Sequence, residues 1–106
     1  MFYVNDIQWN IAFVEPTNSI LQRSDGSFTC GVTDNLTKTV CLSNLLEGSF
    51  LNKVICHEMC HVFSFSYNLN LPIETEEIIA DFISLYGKDI IYLVDRVMKD
   101  IISKAA

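Results

Sequence analysis

Basic residues are few in this chain. Seven Lys and Arg stand against thirteen Asp and Glu, a formal net charge of −6. Phosphate-backbone binding needs a basic face, and no cluster of Lys or Arg is present, so the composition argues against nucleic acid as a partner. Long apolar runs are lacking too. None approaches the roughly 20 residues that a membrane-spanning helix requires, and no membrane partner is expected. The opening "MFYVNDIQWNIAFVEP" has no basic segment followed by an apolar run and a small-residue cleavage site, so a cytoplasmic location is expected. Only two prolines and four glycines punctuate the 106 residues, with no repeat, low-complexity stretch or linker. A single domain, 1–106, is the expectation. The four cysteines, Cys30, Cys41, Cys56 and Cys60, are even in number, as a disulfide framework requires. In a cytoplasmic chain they are expected to be free thiols instead.

What is present is enough for a small core: half of the chain is apolar and 11% aromatic. At this size a bound metal would be a useful additional staple. Residues 7–14, "IQWNIAFV", put Ile7, Trp9, Ile11 and Phe13 on one face at period two, a strand signal. "SILQR" followed by "SDGS" and "FTCGVTD" reads as a hairpin turning at Asp25-Gly26, and "KTVCLS" (38–43) as a further strand. The first part of the chain is thus expected to be an antiparallel meander of three to four strands. From Gly48 the period changes. Ser49 is expected to cap a largely buried helix over about 50–65. Thr75 is expected to cap a second over about 75–86, ended by Gly87. A third, over about 88–104, carries Ile90, Ile91, Leu93, Val94, Val97, Met98, Ile101 and Ile102 as an amphipathic stripe, read as core with the option of a helical dimer contact. Strands followed by helices imply an α+β fold.

The only two histidines, His57 and His61, lie in "KVICHEMCHVF" (53–63). Four residues apart on a helix, they share one face on adjacent turns, and both rings can reach one ion about 2.0–2.1 Å away. Glu58 is about 100° round the helix, so it is not a third ligand from that face. It can reach a water held by the ion and act as its base. This is the H-E-x-x-H zinc-hydrolase pattern. Chance composition yields it in roughly one chain of this length in several hundred, and burying an unpaired Glu58 among apolar neighbours is costly, so a metal explains the pattern better than packing does.

A catalytic zinc takes three protein ligands, and the third must come from elsewhere. "IETEEIIADF" offers Glu77, four residues before Asp81, with Ala80 and Ser84 allowing close helix approach. Glu77 is read as the third zinc ligand and Asp81 as the acceptor of a histidine ring N–H. Glu74, Glu76 or a cysteine are the alternatives for that ligand. Both acids also fit the solvated face of an amphipathic helix.

With its H-E-x-x-H and following Glu77-x-x-x-Asp81, the chain resembles the gluzincin metallopeptidases. "EEIIADF" is also similar to the small ImmA/IrrE-type metallopeptidases, intracellular zinc proteases linked to prophage and stress regulation, several of which act on repressor proteins. The resemblance covers about residues 50–86. It implies a minimal zincin-like fold and hydrolysis of a peptide bond in a protein or peptide substrate. It also implies that the substrate pairs with an exposed sheet edge beside the metal, for which Thr39–Ser43 is the candidate. Tyr67 is the candidate for stabilising the oxyanion, with Tyr86 and Tyr92 competing. The alternative to an enzyme is a zinc-stabilised binding or regulatory module of the same fold with little or no turnover.

Overall fold

The computed structural model describes residues 1–105. It is an α+β arrangement of strands β1 (Phe2–Val4), β2 (Ile7–Val14), β3 (Gly31–Asp34) and β4 (Thr39–Ser43), followed by helices α1 (Gly48–Ser66) and α2 (Ile73–Ala105). The four strands form one sheet in the order β1-β2-β4-β3. No helix is long and apolar enough to cross a membrane among the described residues.

Asn5 and Asp6 both adopt positive φ, 50° and 61°, the conformation of a two-residue type I′ turn. They join β1 to β2 as an antiparallel hairpin that the sequence reading did not anticipate. The Asp25-Gly26 turn does form, with Gly26 at φ 89°. Its arms, however, make a single bridge, Gln22 to Phe28, and Ser19–Leu21 is a short 3-10 turn.

The expected all-antiparallel meander is corrected by the pairing of β2 with β4, which is parallel. The connection after β2 passes over to place β3 beyond β4, and β4 returns into the gap between them. Burial explains this: Val40 and Leu42 are fully buried, so their strand takes a central position. Thr39–Ser43 is therefore not an edge. The free edge beside the helices is β3, paired only with β4. Along β2, Trp9 is fully buried whereas Ile11 and Phe13 are exposed, so the period-two face is covered only in its first half.

Val4, Trp9, Val40, Leu42 and Val62 form the core, with Leu51, Val54, Ile55, Met59 and Phe65 of α1 packed against it. Helix α1 begins two residues earlier than expected. Its N-cap is Glu47, which makes no capping bond, in place of Ser49. Its last turn is pinned to the first hairpin: the Trp9 indole N–H donates to Ser66 Oγ at 2.9 Å, and the Asn5 amide donates to the Ser66 carbonyl at 2.9 Å. Ser66→Ala removes the only acceptor of a buried indole N–H, a loss worth about 1–3 kcal/mol. The expected result is a lower denaturation midpoint with an unchanged denaturant slope.

Asn68 and Asn70, at φ 52° and 53°, reverse the chain into α2. This helix starts at Ile73 rather than Thr75 and runs unbroken through Gly87, so the second and third helices of the sequence reading are one. A mid-helix glycine costs only about 1 kcal/mol relative to Ala, less than is gained by continuing the ladder. The apolar stripe of its second half is not core. Ile91 is 62% exposed and Ile102 63%, on a helix that projects from the body. A radius of gyration of 16.5 Å records that projection, against about 13 Å for a compact chain of this length.

Candidate metal centre

Helix α2 folds back along α1, clasped near its middle by Lys88 Nζ donating to Asn52 Oδ1 at 2.6 Å. This antiparallel packing brings its first turns against the histidine face. His57 and His61 turn their Nε2 atoms toward each other, 3.4 Å apart. Glu77 closes the triangle, with Oε2 at 3.2 Å from His57 Nε2 and Oε1 at 3.0 Å from His61 Nε2. Donors bonded to one tetrahedral zinc at about 2.0–2.1 Å stand about 3.3–3.4 Å from each other. The nitrogen–nitrogen separation of 3.4 Å fits that frame, and Glu77 sets one oxygen against each ring, so that one ligating atom from each of the three residues lies within 4.8 Å of the others.

The far nitrogens are engaged as well. His57 Nδ1 is 3.0 Å from Asp81 Oδ1, and His61 Nδ1 is 2.7 Å from Glu76 Oε1. A carboxylate beside each Nδ1 favours the tautomer protonated there, and in that tautomer the two Nε2 lone pairs face each other and the Glu77 oxygens. Acceptors facing acceptors repel unless a cation sits among them, and double protonation would put two imidazolium charges side by side. Every ion pair among the described residues involves one of these rings, so no Lys or Arg offsets Glu58, Glu76, Glu77 and Asp81. The donor set fits a divalent ion, and no cysteine belongs to it.

Glu58 lies beside this triangle, its Oε2 3.8 Å from His57 Nε2. Thr33 of β3 donates its hydroxyl to Glu58 Oε1 at 2.9 Å. Burial pushes the Glu58 carboxyl above the ordinary glutamate range; the Thr33 hydroxyl, His61 and His57 pull the other way, and Glu77 adds to the rise. Strand and helix come this close because residue 31 has no side chain. A Cβ on Gly31 would stand 3.0 Å from Leu42 Cδ2 and Val54 Cγ1, and 3.3 Å from Glu58 Cγ. The group opens onto a cleft of about 950 Å³ between β3, α1 and the start of α2.

The structure thus brings together His57, His61, Glu58, Glu77 and Asp81. It does not bring Tyr67, which caps the C-terminus of α1, stacks on Phe63 and does not line the cleft. Tyr86 and Tyr92 do not line it either, nor does Glu74. Cys56 and Cys60 are half-buried, and burial, followed by Cys56, Glu58 and Glu76, pushes the Cys60 thiol up. Two participants escaped the sequence reading in these roles. Glu76 had been weighed only as an alternative ligand. It is buried, holds His61, and accepts a bond from Ser64 Oγ at 3.0 Å. One residue from Glu77, it points about 100° away, and only its neighbour across the helix interface gives it a partner. Thr33 carries no motif signal at all. A carboxylate behind a ligating histidine typically accounts for 10- to 100-fold in metal affinity. Glu76→Gln is accordingly expected to weaken zinc binding by about that factor, as read by chelator competition, without unfolding the chain.

No family profile, curated protein or solved structure matches this chain.

Proposed function

We propose that the chain is a zinc-dependent metallopeptidase acting on a protein or peptide. One observation carries the reading: two imidazole nitrogens and a carboxylate converge on one point, and a buried carboxyl held by the Thr33 hydroxyl stands at their side. Two nitrogen donors and one oxygen donor suit zinc. When bound there, zinc supplies Lewis acidity that polarises a carbonyl and makes water acidic near neutral pH. His57, His61 and Glu77 are the ligands. Asp81 and Glu76 fix the ring orientations and raise the rings' donor strength. Glu58 takes the proton of the attacking water and returns it to the leaving amine, a task that suits a carboxyl whose affinity for a proton is raised by burial. Thr33 keeps the Glu58 carboxyl aimed at the triangle.

The test is metal analysis of protein purified without added metal, repeated for Glu77→Ala, together with cleavage of a peptide library. Near-stoichiometric zinc that is lost in Glu77→Ala, with zinc-dependent cleavage, is the expected result. A zinc-stabilised binding module is the second reading, favoured by the exposed apolar face of α2. Stoichiometric zinc without cleavage of any library peptide would select it.

A further inference from the structure

The cleft that holds the metal centre carries both signs of charge. Beside Glu76, Glu77 and Asp81 it is lined by Arg23, Phe28, Phe50 and Lys53. The chain has only seven cationic side chains. Lys38 lies over the Trp9 ring, Lys88 is held by Asn52, and Arg96, Lys99 and Lys104 are on the projecting part of α2. The remaining two, Arg23 and Lys53, both face the cleft, and neither has a carboxylate within 4.0 Å among the described residues. The acid nearest Arg23 in sequence, Asp25, accepts bonds from the Ser27 N–H at 2.9 Å and the Ser27 hydroxyl at 2.6 Å; these lower its pKa more than the charge of Arg23 does. Phe28 and Phe50 are about half exposed, 43% and 52%, and give the cleft apolar wall.

Position on the helix sets the reach. Lys53 is four residues before His57 on the cleft face of α1, which is one turn or about 6 Å along the axis. An extended peptide advances about 3.3 Å per residue, so a side chain two residues from the bond at the metal centre falls beside Lys53. Strand β3 runs alongside, with Thr33 bonded to Glu58 and Gly31 against Val54, and Phe28 and Phe50 line the same cleft.

We propose that Arg23 and Lys53 make this cleft selective for peptides that carry an acidic side chain about two residues from the bond at the metal centre. The inference rests on the peptidase reading for the position of that bond, and on the cleft alone for the charge preference. Of the seven cationic side chains, these two alone line the cleft.

The test separates binding from turnover. Fluorescent decapeptides identical but for one Glu or Gln are titrated against the zinc-loaded Glu58→Gln variant and against the zinc-free unsubstituted protein. The Glu peptide is expected to bind about tenfold tighter, and the preference is expected to vanish in Lys53→Glu and to weaken in Arg23→Gln. Equal binding of the two peptides, no binding of either, or a preference that survives Lys53→Glu overturns the proposal. In parallel, the unsubstituted zinc-loaded protein is incubated with a random peptide library. Acid-selective binding without any cleavage keeps the charge preference and sinks the peptidase reading. Cleavage with no enrichment of Asp or Glu near the cut does the reverse.

Discussion

Glu58→Gln is expected to lower peptide hydrolysis by roughly 10²–10⁴-fold, the range a positioned proton carrier contributes, while zinc content stays at the level of the unsubstituted protein. The isostere keeps an oxygen that can accept the Thr33 hydroxyl bond, now 2.9 Å long, so the contact between β3 and α1 survives. What it loses is the capacity to hold a proton at the position 3.8 Å from His57 Nε2. Because Glu58 is nearly fully buried, replacing a carboxyl by a neutral amide adds no desolvation cost, and the melting temperature should not fall. The measurement is initial rate on a cleaved peptide, paired with metal analysis of the same sample. A variant within tenfold of the unsubstituted rate, with full zinc, would remove Glu58 from the chemistry.

Stripping the ion should produce the second large effect. A ligand that binds only the folded chain stabilises it by about 4.1 kcal/mol when its free concentration is a thousand times Kd, and each kcal/mol is worth about 4–8 °C in a domain of roughly this size. Chelation is therefore expected to lower the melting temperature by roughly 15 °C or more. The local reason is electrostatic. Without the ion, Glu77 faces two imidazole nitrogens at 3.0 and 3.2 Å, with Glu58, Glu76 and Asp81 close by and no Lys or Arg paired to any of them. His61→Ala should melt at the lower temperature from the start and show no response to chelator. Scanning calorimetry with and without chelator reads both. Identical melting in the two conditions would mean that no ion contributes to this fold.

The helical half of the centre was legible because it depends on period alone. His57 and His61 share a face at four-residue spacing wherever they sit on a helix, and the same rule pairs Glu77 with Asp81. Register between distant segments obeys no such local rule. Thr33 meets Glu58 across 25 residues, and Glu76 meets His61 only because α2 lies back along α1 at one particular rotation. The fold divides in the same way. Period two marked β2 and β4, and period 3.6 marked α1. The parallel partnership of β2 with β4 and the demotion of Thr39–Ser43 from edge to centre depended on where the buried Val40 and Leu42 could be covered.

Spacing in the chain was sufficient to set out two imidazoles, a neighbouring carboxylate and an acidic pair one helix later, since a helix converts sequence distance into angle without outside help. Packing chose the rest: which acid joins the two Nε2 atoms and which lies behind a ring, which strand borders the cleft, and that Gly87 lies inside one long helix. Those outcomes compare the free energies of alternative contacts between segments far apart in sequence, and local periodicity carries no information about such comparisons.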